Sequence, residues 1–307
     1  MESVPYLGHQ IRRWQIGDST FLAWPEAGAR LMRWSMERSD RSAREIIHWP
    51  ELTALDQPLA KIRGGNPILF PFSARTFDRG DIHVWLAPDG QRRPMPMHGF
   101  ARQGTFELDR IDGEGFRALL KPTRADHEAY PFDYEFRVAY RFEASALTCE
   151  FTLRNLGDAP IPWCAGHHFY FTVPWEAGRT RDDYLLSRPE SEIFEQDEKG
   201  ALIPARDVPP VTTLSHAALV DAIHTDLAEH RFRFGPSDGP EHVDVMIGTQ
   251  ARPGPDQAMV TWTAGPTAPF YCVEPWMGPP NAPEHQRGLE WVPPGVTGRF
   301  VVSVAVG

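Results

Sequence analysis

Three cysteines in 307 residues are too few to staple a fold together, and their odd number leaves at least one thiol unpaired. Positive charge is also short. Lys and Arg total 31 against 41 Asp and Glu, a formal net charge of −10. That balance argues against nucleic acid or an anionic membrane as the main partner, because phosphate surfaces are held by a concentrated positive face. A small anion gripped by a few converging arginines stays compatible with it. No stretch approaches the roughly 18 apolar residues of a membrane helix. The opening Met-Glu-Ser-Val-Pro lacks the basic-then-apolar run of a signal peptide. The expectation is a soluble cytoplasmic protein in which Cys149, Cys164 and Cys272 are reduced and buried. Several catalytic signatures are missing too. There is no G-x-S-x-G elbow and no glycine-rich phosphate loop before a helix, so hydrolase and kinase readings find no support. There is no HExxH and no paired CxxC, which removes the usual spacing signals for a metal.

What the chain has in surplus is proline. Thirty prolines leave few windows for an uninterrupted helix. Hydrophobic residues at 41% and charged residues at 23% are ordinary globular usage, which excludes a disordered chain. Between the prolines, apolar and polar residues alternate. Phe132 to Phe142 puts Phe132, Tyr134, Phe136, Val138, Tyr140 and Phe142 on one face, and Ala146 to Leu153 does the same with Leu147, Cys149, Phe151 and Leu153. His230–Phe234, Met259–Thr263 and Phe300–Val306 continue the period of two. Strands of this kind bury one face and wet the other, the habit of antiparallel sheets. The pattern predicts an all-β fold of two large antiparallel sheets packed face to face. Ser215–Glu229 is the best helix window, but it lacks a 3.6-residue stripe. The glycine and proline clusters at Arg252–Gln257, Trp276–Ala282 and Val292–Gly298 are short enough to be loops, so residues 1–307 are expected to form a single domain.

Four islands interrupt the strand rhythm. In KIRGGNPILFPFSAR (Lys61–Arg75), two glycines let backbone approach a ligand while Arg63 or Arg75 forks onto oxygens; an ordinary turn into a buried strand is the plainer reading. In MPMHGFAR (Met95–Arg102), His98 precedes a glycine and can stand at the end of a strand with its ring in a cleft, or serve only structure. In AGHHFYF (Ala165–Phe171), His167 and His168 are adjacent, so on a strand they point to opposite faces and only one can share a pocket with His98. In YCVEPWMGPPN (Tyr271–Asn281), Glu274 ends an apolar strand before a proline and a tryptophan. Desolvation there would raise its pKa and suit it to act as a base; a carboxylate capped by backbone amides is the alternative.

Taken in order, these islands resemble the aldose 1-epimerase (galactose mutarotase-like) superfamily. HGFAR resembles its first histidine motif, GHHFYF its G-x-H-x-Y-F pattern, and CVEPW its glutamate motif; this alignment selects His168 over His167. ILFPFSAR is similar to the segment that supplies a sugar-binding arginine, Arg75. VDAIHTDL is similar to the stretch that carries the substrate-binding aspartate, Asp221, with Asp226 as the slipped alternative. GARLMRW fits the family's opening strands. The resemblance implies a large twisted β-sandwich, or supersandwich, that interconverts the α and β anomers of a free hexose with no cofactor and no metal. It implies catalytic roles for Glu274 as base, His168 as acid and His98 as hydrogen-bond donor to the ring oxygen. Arg75 and Asp221 would orient hydroxyls, and Trp276 would stack on the sugar ring. RGGNP with Arg63, and HGFAR with Arg102, also resemble the hexose-6-phosphate 1-epimerase branch, where two guanidinium forks would grip a phosphate. A sugar-binding protein without catalysis is the third reading, disfavoured because a pure binder has no use for a base and an acid together.

Overall fold

Period-two alternation becomes strand pairing along most of the chain in the computed structural model, which describes all residues from Met1 to Gly307. The segment Tyr134–Phe142 pairs antiparallel with Ala146–Asn155, and the register Phe136↔Leu153 and Val138↔Phe151 brings both apolar rows onto one face. Thr297–Val306 flanks Ala146–Asn155 on the other side. Arg231–Pro236 and Ala258–Trp262 are strands as the alternation predicts. The helix window at Ser215–Glu229 is different. It holds a three-residue 3₁₀ turn, Ala217–Leu219, and then a strand, Ala222–Thr225. All four residues of that strand are buried, and it is hydrogen-bonded between Glu192–Gln196 and Ala258–Trp262. Burial on every side leaves no use for an amphipathic stripe. Only two short α-helices occur, Arg124–Ala129 and Ala282–His285.

The strands form a thirteen-stranded and a nine-stranded sheet, with three two-stranded ribbons beside them. A cluster of 59 buried residues fills the space between the two large sheets. It is rich in rings: Phe21 stacks on Phe142 at 4.4 Å, Phe70 on Phe136 at 3.8 Å, and Phe171 meets Phe234 edge-on at 5.1 Å. Offset and edge-on geometries at such spacings are the favoured ones for aromatic pairs. The three thiols are free and buried, as expected.

The strand Phe270–Trp276 lies inside the thirteen-stranded sheet, between Phe169–Thr172 and Ala258–Trp262. Every one of its residues is buried. Tyr271 and Val273 belong to the main core. On the opposite face, Phe270 and Cys272 pack with Tyr170, and Trp276 packs with Leu69, Ile223, Ala258 and Val260. Side chains alternate across a strand, so Glu274 falls on this second face with Cys272 and Trp276. The sheet is therefore covered on both sides, and the second face carries the polar residues described next.

Candidate active site

The two adjacent histidines separate as strand geometry requires. His167 enters the core, fully buried, with its ring stacked on Phe151 at 4.2 Å and on Phe169 at 5.3 Å. His168 turns to the other face and lies parallel to Tyr170 at 4.6 Å. Its Nδ1 sits 3.5 Å from Oε1 of Glu274. The pairing Phe169↔Val273 between the two strands sets this proximity. Both His168 Nδ1 and Glu274 Oε2 are enclosed without a hydrogen-bond partner. Buried polar atoms are nearly always paired, so two orphans on side chains that approach to 3.5 Å mark a place where an outside group completes the bonding.

His98 arrives from a turn. Its backbone has φ +66°, and that of Gly99 φ +68°. A Cβ on Gly99 would fall 1.9 Å from the carbonyl oxygen of Phe70, so only glycine lets the turn press against Phe70–Pro71. His98 and Ala74 bond reciprocally. The His98 N–H donates to the Ala74 carbonyl at 2.7 Å, and the Ala74 N–H donates to His98 Nδ1 at 3.0 Å. With Nδ1 accepting, the ring hydrogen resides on Nε2 and is free to donate elsewhere. The ring centroid of His98 is 5.4 Å from that of His168 and 6.1 Å from Trp276. His98, His168 and Glu274 thus meet, although they come from three separate stretches of chain.

Two further side chains hold this group in place. Asn66, fully buried, accepts the His168 backbone N–H at 3.0 Å and donates through Nδ2 toward Tyr140 Oη at 2.7 Å and His167 Nδ1 at 2.9 Å. The indole N–H of Trp276 donates to the His167 carbonyl at 3.0 Å. Asn66 sits in the RGGNP island, yet nothing in the sequence distinguished it from its neighbours. Its partners are 74, 101 and 102 positions away.

Burial sets the electrostatics. It pushes the Glu274 carboxyl well above the usual carboxylate range, with the nearby Asp221 charge adding to the rise. It pulls His168 down to about 3, and Arg30, Arg102 and Arg63 reinforce the fall. His98 lies well below its ordinary value from burial, with His168, Arg102 and Arg75 contributing. All three groups are therefore driven toward their neutral forms.

The remaining sequence-derived residues form a rim. Arg75 and Asp221 are exposed, and Arg75 is close enough to act on both His98 and Asp221. Asp221 has φ +59° and lies near Glu274; Asp226 instead pairs with Arg252 at 3.2 Å. Arg63 is exposed, its guanidinium carbon 5.5 Å above the Trp262 ring. Arg102 is half-buried, and neither Arg63 nor Arg102 makes an ion pair. Trp276 differs from the stacking role the resemblance implied. It is only 3% exposed, packed among Leu69, Ile223, Ala258 and Val260, so its ring face is already covered. The half-buried Trp262, 5.7 Å from His168 and edge-on to it, presents the more open indole. Arg30, in GARLMRW, was read only as part of an opening strand. It is fully buried near His168, with Nε and Nη1 lacking partners and Nη2 donating to the Ile62 carbonyl at 3.0 Å.

Comparison with known proteins places the chain in a family and a fold. The sequence model described as Aldose 1-epimerase matches residues 15–281, and the chain belongs to that family. Protein LacX of Lactococcus lactis subsp. lactis is 26% identical over 250 residues, covering 74% of this chain and 78% of LacX. Among solved structures, a galactose mutarotase related enzyme from Lactobacillus acidophilus superposes with a TM-score of 0.78 at 21% identity, covering 97% of each chain. A galactose 1-epimerase from Lactobacillus acidophilus NCFM gives 0.66 at 14% identity, covering 100% of this chain and 98% of its own. At these identities the structural likeness establishes the shared fold, a galactose mutarotase-like sandwich.

Proposed function

We propose that this member of the aldose 1-epimerase family interconverts the α and β anomers of an aldose by acid/base opening and closing of the ring. The observation that carries the reading is the convergence of Glu274, His168 and His98 on one buried face, with orphaned polar atoms on the first two. Opening a cyclic hemiacetal removes a proton from O1 and delivers one to the ring oxygen. A catalyst for this needs one base and one acid, and closing the ring on the other carbonyl face returns both to their starting states. Glu274 takes the O1 proton, His168 delivers a proton to the ring oxygen, and the Nε2–H of His98 donates to the ring oxygen or a neighbouring hydroxyl. Burial disfavours an isolated imidazolium at this position, so the acid proton is held by the His168–Glu274 pair as a unit. A sugar hydroxyl donating to the carboxylate then favours its ionised form and leaves the proton on the imidazole. Arg75 and Asp221 orient hydroxyls at the rim, and Trp262 offers the sugar an apolar ring face.

A second reading concerns the substrate, and Arg30 favours it. Arg30, Arg63 and Arg102 gather near His168 and none of them makes an ion pair, and Arg30 is fully buried with two unpartnered nitrogens. An unpaired buried cation is costly, and a phosphate on the sugar would offset it better than a hydroxyl does. NMR exchange of anomers across free aldoses and their 6-phosphates tests both readings. Acceleration of at least one aldose is expected, and none would remove the epimerase assignment. Arg63→Ala and Arg102→Ala are expected to slow a phosphorylated sugar far more than a free one if the phosphate reading holds; equal losses would reject it.

A further inference from the structure

The second face of the strand Phe270–Trp276 carries a thiol next to the carboxylate. Cys272 and Glu274 are two residues apart on one strand, so both project to the side occupied by His168. A His nitrogen, the Cys272 sulfur and a Glu274 oxygen lie within 4.8 Å of one another, all three residues buried. Within this trio, His168 Nδ1 and Glu274 Oε1 are 3.5 Å apart. Metal bonds of about 2.0–2.3 Å at a tetrahedral angle place donors about 3.3–3.8 Å apart. The nitrogen–oxygen edge already meets that requirement, and the sulfur, no more than 4.8 Å from either, closes in as it binds. Sequence spacing alone gave no sign of it, because the third donor comes from a neighbouring strand.

We propose that His168, Cys272 and Glu274 form a binding site for a thiophilic divalent cation of the Zn²⁺ class, which competes with the sugar. Imidazole, thiolate and carboxylate are the donors such ions take, and three protein donors leave a fourth position open to water. The Cys272 S–H proton and the proton held by the His168–Glu274 pair both leave to solvent as the ion binds. The two anionic donors cancel the charge of the ion, so Arg30, Arg63 and Arg102 face a neutral cluster. The unpartnered His168 Nδ1 and Glu274 Oε2 are the second observation in its favour, since coordination satisfies atoms that the protein itself leaves unpaired. The ion occupies the two groups assigned to proton transfer, so binding and turnover exclude each other. The inhibitory consequence rests on the functional reading above, whereas the binding site does not.

The intact protein is titrated with Co²⁺, which reports its ligands by absorption. One equivalent should give the visible bands of a four-coordinate ion and a near-ultraviolet thiolate-to-cobalt band. Cys272→Ala, and Cys272→Ser as a variant that preserves volume, should lose the near-ultraviolet band and bind at least tenfold more weakly. Zn²⁺ should slow anomer exchange in the unaltered protein, relieved by excess sugar, whereas the same Zn²⁺ concentration should slow Cys272→Ser, measured against its own metal-free rate, at least tenfold less. A cobalt spectrum without the thiolate band, or a band that survives in Cys272→Ala through Cys149 or Cys164, overturns the site. Thiolate-bound cobalt in a protein devoid of anomer exchange upholds the site and rejects the functional reading.

Discussion

Glu274 stands at 2% exposure with its pKa raised by burial, so its ionised form costs the fold stability. Its folded pKa exceeds the unfolded value of about 4.5, so the folded chain binds more protons than the unfolded one between those two values. Stability therefore falls as pH rises through that window, and the loss is complete above the folded pKa. Glu274→Gln removes the penalty. The variant is expected to melt higher than the unaltered protein at pH 8, with the gap closing toward pH 4. Melting below the parent at pH 8 would mean that the ionised carboxylate has a stabilising partner. The same change should reduce anomer exchange, followed by polarimetry, by about 10²–10⁴-fold with sugar affinity by calorimetry little altered. Full turnover in this variant would reassign the base. Polarity alone did not mark this residue in the sequence; its position at the end of an apolar strand, before Pro275 and Trp276, did.

At the scale of elements, the strands were legible and the turns were not. Alternation in Tyr134–Phe142, Ala146–Asn155 and Thr297–Val306 states directly which side is inward, because a period of two has only two faces. The same rule divided His167 from His168. It could not place His98, whose position depends on left-handed backbone at Ala74, His98 and Gly99 and on the fit of that turn against Phe70–Pro71. Nor could it find Asn66, Trp262 or Arg30, which acquire their roles through partners brought close only by the folded sheet. Gly99→Ala tests the turn. The added methyl meets the Phe70 oxygen, so the variant should lose about 1–3 kcal/mol in urea unfolding. It should also lose anomer exchange beyond what the unfolded fraction explains, since His98 moves with the turn. Undiminished activity in the folded fraction would detach His98 from catalysis.

For the molecule as a whole, the histidines make folding sensitive to acid. Burial lowers the pKa of His48 to about 4 and of His168 and His224 to about 3, and takes His98 and His167 well below 6.5. The unfolded chain binds protons at these rings first, near 6.5, so stability is full above that pH and is lost as pH falls. The urea midpoint should drop steeply between pH 6.5 and 4 while the slope of the transition stays constant. A midpoint that is flat across this range would show that the rings protonate without leaving their places. No helix of the protein is long and apolar enough to cross a membrane.

The central strand from Phe270 to Trp276 has a consequence for how such a protein can change. One ribbon carries Glu274 on one side and a filled interior on the other, so a substitution at Tyr271 or Val273 that repacks the interior also shifts the carboxylate. Altered substrate preference must then be acquired elsewhere, in the loops that bring Arg63, Arg75, Arg102 and Asp221 to the mouth of the site. Libraries built on those loops should yield folded variants with new preferences, whereas libraries built on the ribbon should yield mostly inactive or insoluble ones.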